Sequence, residues 1–214
     1  MIFVTGIPRS GTTLTTSLLE AHGVALGEAG ARDRLKENTE IRTHVVKALL
    51  RTAGACPLGQ YSFVPTSAVP IMADLRDRVD AALGNADPRA YKDPKLALVW
   101  RAFAGAFPEA KWIICRRDRH DIARSLARTP FMHAHGADVA GWMAWLGEYE
   151  TRLDEMKAYG LDLVETWPTE IVADPQAFAP VASHCGLAFD PLASRRLVDP
   201  ALWHGGAKRK EAAA

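Results

Sequence analysis

The sequence predicts an α/β protein: a single domain with a central parallel sheet of four or five strands and helices on both faces. Three observations predict it. Short apolar runs alternate along the chain with longer stretches in which apolar residues recur at helical spacing. The chain has 214 residues, a length that suits one domain. Its composition, 48% hydrophobic and 24% charged, is ordinary for a globular protein.

The apolar runs are too short and too continuous for surface helices, and they suit strands that are covered on both faces. Strands are predicted at residues 2–5, 90–92, 111–115 and 161–165. Helices are predicted at residues 12–21, 41–53, 71–83, 96–107, 119–127, 139–156 and 175–185. Residues 24–36 and 54–70 are expected to be irregular, because the first stretch lacks periodicity and the second is rich in Pro and Gly.

Charge and cysteine usage exclude several classes of protein. The net charge of +1 argues against a nucleic-acid partner. No apolar run approaches the ~20 residues that a membrane span needs, and Ile2 already begins a strand, which leaves no place for a signal peptide. Cys56, Cys115 and Cys185 form no CxxC and no metal-binding spacing. We therefore expect a cytoplasmic protein in a reducing compartment, without a metal.

A glycine loop follows the first strand, at residues 6–13, Gly-Ile-Pro-Arg-Ser-Gly-Thr-Thr. Backbone N–H groups in such a loop can hold an oxyanion, and the next helix adds its positive N-terminal end. Ser10, Thr12 and Thr13 add hydroxyl donors. Thr12 stands where a Walker A loop has lysine, which disfavours a magnesium-dependent nucleoside triphosphatase. The alternative is a tight turn without a ligand.

A second candidate site follows the strand at residues 111–115. Arg117 at a strand end can bind a phosphate with two hydrogen bonds, and Ser125 on the following helix adds a hydroxyl. Asp118 is predicted to cap that helix. Since ligands of parallel sheets bind at the carboxyl ends of the strands, this segment and the glycine loop are expected to share one edge. The alternative is a capped helix with a solvated basic edge.

These two segments resemble the cofactor motifs of one family. Residues 8–14, Pro-Arg-Ser-Gly-Thr-Thr-Leu, resemble the 5′-phosphosulfate loop of sulfotransferases that use 3′-phosphoadenosine 5′-phosphosulfate (PAPS), in the form found in tyrosylprotein and many bacterial members. Four residues match the family's 3′-phosphate motif, Arg-Asp-Pro-x-Asp-x-x-x-Ser: Arg117, Asp118, Asp121 and Ser125. Arg119 replaces the usual proline. The resemblance implies a P-loop-like fold and transfer of a sulfuryl group from PAPS, with 3′,5′-bisphosphoadenosine as product and no metal.

The resemblance also implies residue roles. Arg9 would hold the phosphosulfate and stabilise charge on the bridging oxygen. Ser10, Gly11, Thr12 and Thr13 would complete the loop, and Arg117 and Ser125 would bind the 3′-phosphate. Residues 92–95, Lys-Asp-Pro-Lys, resemble a recurrent family segment, in which Lys92 would stabilise the sulfuryl group.

In-line transfer also needs a base for the acceptor proton. Residues 36–41 resemble a stretch of bacterial sulfotransferases in which an acidic residue opens a helix, and in related enzymes a Glu of this region is the base. Glu37 is our first candidate, and Glu40 is the alternative. Both carboxylates would also favour a helix N-terminus without any role in catalysis.

The resemblance implies an unidentified acceptor that offers a hydroxyl or an amine, and we expect a small molecule, a glycan or a lipid. Residues 54–70 and 129–140 are expected to wall its pocket, with possible contacts from three residues: Phe63, Phe131 and His133.

We expect a sulfotransferase-like P-loop domain at residues 1–205 and a flexible tail at residues 206–214. The role of the tail's basic run and the oligomeric state stay open. Two alternatives to a sulfotransferase are a P-loop kinase of small molecules and a non-catalytic nucleotide-binding module.

Overall fold

The computed structural model describes residues 1–198 and contains one parallel sheet of four strands in the order β2-β1-β3-β4. The strands are β1 (Ile2–Gly6), β2 (Ala90–Lys92), β3 (Lys111–Cys115) and β4 (Leu163–Thr166). Val4 of β1 is paired with Lys92, and Gly6 is paired with Cys115. The carboxyl ends of β1, β2 and β3 therefore lie side by side at one edge.

Eleven α-helices surround the sheet within the described residues. They are α1 (Thr12–Ala21), α2 (Gly27–Arg32), α3 (Thr39–Ile41), α4 (Lys47–Thr52), α5 (Leu75–Leu83), α6 (Leu96–Ala106), α7 (Arg119–Ala127), α8 (Val139–Tyr159), α9 (Pro168–Ala173), α10 (Ala179–His184) and α11 (Pro191–Leu197). A π-helical turn, Arg42–Val46, joins α3 to α4. Two 3₁₀ turns cover Thr66–Ala68 and Pro175–Phe178.

Alternate residues of β1 face two separate hydrophobic cores, as the period of a strand requires. Phe3 packs against the ring of Phe103 on α6 and against Trp112 of β3 in the larger core. Ile2 and Val4 face the smaller core, with Leu18 of α1. Helices thus cover both faces, and the predicted α/β architecture is confirmed.

The sequence predicted β2, β3, α1 and α7 with the bounds that the structure shows, and it missed three short helices. Residues 24–36 are not wholly irregular, since they contain α2, whose six residues bury only Gly30 and so give no periodic signal. α9 and α11 were also missed, although both begin with a proline, which is a start signal for helices.

Other predicted bounds need correction. β4 is Leu163–Thr166 rather than residues 161–165, and α5 begins at Leu75 rather than at Ile71, which is exposed. The predicted helix at residues 175–185 is divided into a 3₁₀ turn and α10. The predicted domain end at residue 205 and the tail at residues 206–214 lie outside the described residues. No helix of the described chain has both the length and the apolar character that a membrane span requires.

Candidate active site

The loop between β1 and α1 depends on glycine at its start. Gly6, Arg9 and Gly11 all have positive φ angles, of 151°, 75° and 99°. A Cβ atom at Gly6 would lie 2.5 Å from the carbonyl oxygen of Cys115 and 2.7 Å from Ser10 Oγ. Only glycine therefore lets the loop pass so close to the end of β3.

The same loop leaves hydrogen-bond donors available at the start of α1. Gly11 is the N-cap residue and has no side chain to cap the helix, and the first turn of α1 contains no acidic residue. The first N–H groups of a helix have no acceptor within the helix, so those of Thr12 and Thr13 can receive an anion. Ser10 Oγ is buried and has no hydrogen-bond partner within residues 1–198. An unpaired buried hydroxyl is costly, and this one is suited to a ligand oxygen.

The second motif contacts this loop directly. Arg117 Nη1 donates a hydrogen bond to the carbonyl oxygen of Arg9 at 2.9 Å. Arg9 Nε donates to Ser125 Oγ at 3.0 Å. Because β1 and β3 are neighbours, residues that lie 108 and 116 positions apart in the sequence meet at one edge of the sheet. Asp118 accepts a hydrogen bond from the backbone N–H of Asp121, so the predicted cap of α7 is present without the family's proline.

The two guanidinium groups repel each other across this contact. Desolvation, and then the charge of Arg34, lower the pKa of Arg9. Desolvation also lowers the pKa of Arg117; Asp121 opposes that change and Arg9 adds to it. Both arginines stay protonated, because a guanidinium does not lose its proton near neutral pH. An anion bound between them would relieve the repulsion.

Glu37 and Lys92 form a buried ion pair beside the loop. Lys92 Nζ lies 3.0 Å from Glu37 Oε1, and both side chains are almost wholly buried. Lys92 Nζ also donates to the carbonyl oxygen of Leu35 at 2.9 Å, and Thr13 Oγ1 donates to the same oxygen at 3.4 Å. Three contacts thus connect the first turn of α1 to the Glu37 carboxylate.

The charges around Glu37 keep it ionised. Burial alone raises the pKa of Glu37, but the charges of Lys92 and Lys95 and the hydrogen bonds from Lys92 and Arg42 together hold that pKa below its usual range. Arg42 Nη1 lies 3.2 Å from Glu37 Oε2, so each carboxylate oxygen has a cationic partner. Arg42 begins the π-helical turn, a feature that often occurs at functional sites.

The alternative base, Glu40, lies in a different environment. Its side chain is exposed and is 3.6 Å from His44 Nε2 on the next turn. Asn38, not a glutamate, caps α3 by accepting hydrogen bonds from the N–H groups of Glu40 and Ile41. Of the two carboxylates, Glu37 is the one that the structure brings to the lysine at the end of β2.

The segment after β2 is held by a second buried pair. Asp93 is fully buried and accepts hydrogen bonds from the backbone N–H of Lys95 at 2.8 Å and from its Nζ at 2.7 Å. Tyr91 donates its hydroxyl to the other carboxylate oxygen at 3.0 Å. The Asp-Pro turn therefore has its own side-chain to backbone bond, and the ion pair fixes the backbone that carries Lys92.

Comparison with known proteins decides the family. Residues 2–191 match the sequence model of the sulfotransferase family. The chain belongs to the sulfotransferase family. The crystal structure of sulfotransferase STF1 from Mycobacterium tuberculosis H37Rv (type1 form) has a similar fold, with a TM-score of 0.56 and 17% identity over 92% of this chain and 70% of that one. No curated protein matches the sequence significantly.

In this sulfotransferase family member, the predicted donor-site residues lie together at the edge formed by β1 and β3. The sequence analysis gave no role in the site to four charged residues near them: Arg34, Arg42, Asp93 and Lys95. Residues 92–95 carried part of the signal, but the pairing of Lys92 with Glu37 spans 55 positions and no local pattern shows it. Among residues 1–198, no group of three or more His, Cys, Asp and Glu side chains could hold a metal ion.

Proposed function

We propose that this protein transfers a sulfuryl group from PAPS to a hydroxyl or amine of an acceptor, with Glu37 as the base. The observation that carries the proposal is the contact between the two phosphate-binding motifs, Arg117 to Arg9 and Arg9 to Ser125. A nucleotide with anionic groups on both its 3′ and 5′ oxygens needs two adjacent anion sites, and ATP has no use for the 3′ site.

The residues present fit such a donor. The buried Ser10 hydroxyl and the N–H groups of Thr12 and Thr13 would hold the 5′-phosphosulfate, and Arg9 would stabilise the phosphate oxygen that leaves sulfur. Arg117 and Ser125 would hold the 3′-phosphate. Bound PAPS supplies a sulfuryl group activated by its bond to phosphate.

Glu37 would take the acceptor's proton as the acceptor oxygen or nitrogen bonds to sulfur. Its lowered pKa keeps the carboxylate ionised at neutral pH but also makes it a weak base while Lys92 is bound to it. Movement of Lys92 from Glu37 to the sulfuryl oxygens would raise the pKa of Glu37 and strengthen the base at the moment of transfer. Lys92 would then stabilise the charge that develops on those oxygens.

The alternatives have less support. A P-loop kinase would need a lysine after Gly11, where this chain has Thr12. A non-catalytic nucleotide-binding module would have no need of an ionised glutamate buried beside a lysine. The proposal includes a reducing compartment, the cytoplasm, because Cys56, Cys115 and Cys185 are buried free thiols.

Calorimetry separates these functions. We expect 3′,5′-bisphosphoadenosine to bind without divalent metal and at least 10-fold more tightly than ATP with Mg²⁺. Arg117→Ala should weaken that binding, and Arg195→Ala, which removes an exposed arginine on α11, should leave it unchanged. Tighter binding of ATP with Mg²⁺ would favour the kinase. Transfer of labelled sulfate from PAPS to an acceptor would then distinguish the enzyme from a binding module.

A further inference from the structure

Gln60 joins the two loops expected to wall the acceptor pocket. It is 3% exposed, and its Nε2 donates to the carbonyl oxygen of Phe131 at 2.9 Å. Its Oε1 accepts hydrogen bonds from the backbone N–H groups of His133 and Ala134, at 2.6 Å and 3.2 Å. A buried amide with three such bonds holds residues 56–62 against residues 129–136. The wall of the pocket is therefore fixed before any ligand binds.

The first of these loops rests on the buried charged residues of the candidate active site. The carbonyl oxygen of Gly59 accepts a hydrogen bond from the Tyr149 hydroxyl at 3.3 Å. A Cβ atom at Gly59 would lie 2.5 Å from that hydroxyl oxygen and 3.3 Å from Lys95 Cγ. Lys95 is paired with Asp93, directly after Lys92. The two joined loops thus adjoin the segment that holds the Glu37–Lys92 pair.

This wall has no formal charge, in contrast to the rest of the molecule. Residues 52–73 and 129–137 contain no Asp, Glu, Lys or Arg, although 24% of the chain is charged. In the parts of these loops that Gln60 joins, residues 56–62 and 129–136, three large apolar or aromatic side chains stay exposed: Leu58 at 44%, Tyr61 at 56% and Phe131 at 54%. We call these three residues the apolar rim. Exposed apolar groups on fixed loops beside a candidate catalytic pair are typical of a ligand pocket.

Two further observations describe the surroundings of the rim. Phe63, the other aromatic candidate, turns inward and packs against Tyr149, with ring centroids 5.9 Å apart, so it supports the wall from behind. An open cleft of about 380 Å³ runs along residues 127–137, with Thr129, Met132 and His133 in its lining, together with one cation, Arg128. The three side chains of the rim lie beside this cleft and do not line it. That volume is within the range of small-molecule sites.

We propose that the acceptor is an uncharged alcohol or phenol on a compact apolar body, held against the apolar rim with its hydroxyl toward Glu37. This inference rests on the proposed function and names its acceptor class. An acidic peptide or an anionic glycan would need several cations along the wall to replace its hydration. Residues 52–73 and 129–137 offer none, and Arg128 is the single cation in the lining of the neighbouring cleft. The O–H proton goes to Glu37 and the oxygen bonds to sulfur, as in the transfer described above.

The first experiment measures binding of 2-naphthol, with and without saturating 3′,5′-bisphosphoadenosine. Phe131→Ala removes a rim side chain but keeps the backbone carbonyl that Gln60 binds, and we expect it to weaken 2-naphthol binding about 10-fold. Leu192→Ala is the matched control, since Leu192 is 61% exposed on α11. Equal affinities for the two variants would overturn the inference, and a thermal melt verifies that each variant is folded.

The second experiment measures transfer of labelled sulfate from PAPS to three probes: 2-naphthol, an acidic tyrosine peptide and a heparan sulfate oligosaccharide. Preference for 2-naphthol supports the inference, and preference for the peptide or the oligosaccharide overturns it. The two proposals fail in different ways. If 3′,5′-bisphosphoadenosine binds but 2-naphthol does not, the acceptor class is wrong and the donor stands. If the nucleotide does not bind, the donor assignment is wrong, and the binding of 2-naphthol alone still tests the rim.

Discussion

The two sides of the candidate active site differ in charge: one carries arginines, and the other carries no charged residue. The proposed donor side has two arginines, Arg9 and Arg117, together with hydroxyls and the first N–H groups of α1. The acceptor side, residues 52–73 and 129–137, has no charged residue at all. Recognition of an anion needs a few fixed groups at fixed spacing, so it leaves a motif. Recognition of an apolar molecule depends on the shape of the binding site, and no short sequence motif encodes that shape.

The segment after β2 connects the two sides. Lys92 shares the Leu35 carbonyl oxygen with Thr13 on the donor side, and Lys95 lies beneath Gly59 on the acceptor side. Glu37 is bound to Lys92 between them. A base in this position can serve an acceptor that approaches from one side and a sulfuryl group that is held on the other.

The largest expected effect comes from Glu37→Gln. Loss of a general base lowers turnover by about 100- to 10 000-fold, and donor affinity should stay within about 3-fold, because the donor-side residues are unchanged. Turnover of PAPS with 2-naphthol, or with the best acceptor of the screen, measures the first quantity, and calorimetry with 3′,5′-bisphosphoadenosine measures the second. Glu40→Gln is the matched control. A normal rate in Glu37→Gln together with a slow Glu40→Gln would move the base to Glu40.

The ionisation of Glu37 can also be tested without an acceptor, through the pH dependence of the stability of the fold. Its pKa is lowered in the folded protein, so the ionised form stabilises the fold at pH values above the ordinary pKa of 4.5. That stabilisation is lost as the pH falls through the lowered pKa. The thermal midpoint of the wild type should therefore exceed that of Glu37→Gln at pH 7, and the gap should narrow below pH 4.5. A gap that is independent of pH would contradict the ion pair with Lys92.

The next-largest effect is expected from a substitution on the donor side. Arg117→Ala should weaken binding of 3′,5′-bisphosphoadenosine about 10- to 100-fold, because hydrogen bonds to charged groups contribute about 1.5–3 kcal/mol. Arg117→Lys keeps the charge but loses the paired donors, and it should restore only part of the affinity. Full affinity in a folded Arg117→Ala protein would show that the 3′-phosphate does not bind at this strand end.

The sequence predicted that the candidate donor-site residues meet, because each of the two motifs is local. The loop of residues 6–13 and the motif from Arg117 to Ser125 each lie within a strand-to-helix connection, and parallel topology alone predicts that they meet. Glu37 was one of two candidates, and the geometry that separates it from Glu40 depends on a lysine 55 positions away. No sequence pattern encodes a contact of that kind.

The sequence could not predict the contacts of the acceptor side, because they too join residues that are far apart in the chain. Residues 54–70 and 129–140 were expected to wall a pocket, but Gln60 gave no signal, since its three hydrogen bonds reach residues 71–74 positions away. Phe63 and Phe131 looked equivalent in the sequence. Only packing shows that the ring of Phe63 points into the core and that of Phe131 is exposed.

A smaller effect is expected when the hydrogen bonds between the two acceptor-side loops are removed. Gln60→Ala leaves the N–H groups of His133 and Ala134 without their acceptor, which costs about 1–3 kcal/mol of unfolding free energy. Urea denaturation measures that cost. The same variant should weaken 2-naphthol binding while donor affinity stays constant, because the rim loses its support. A change in donor affinity instead would mean that the two sides are not separable.

The smallest effect belongs to Arg34, which lies at the edge of the donor side. It is exposed, and the turn formed by the hydrogen bond from Lys36 N–H to the Asp33 carbonyl brings its charge close enough to lower the pKa of Arg9. Arg9 stays protonated with or without it, so the consequence of Arg34→Ala is a weaker attraction for the anionic donor. We expect about a 2- to 3-fold loss of 3′,5′-bisphosphoadenosine affinity at low salt, since exposed charges interact weakly.

Salt separates this long-range attraction from a direct contact. At about 0.5 M salt the Debye length is only ~4–5 Å, so the difference between Arg34→Ala and the wild type should disappear, whereas the loss in Arg117→Ala should persist. Arg32→Ala is the control on the same segment, because it removes an equal charge that does not lower the pKa of Arg9. If the Arg34→Ala deficit persisted at high salt, Arg34 would have to touch the donor itself, and the donor side would then extend beyond its two motifs into a segment that carries no recognisable pattern.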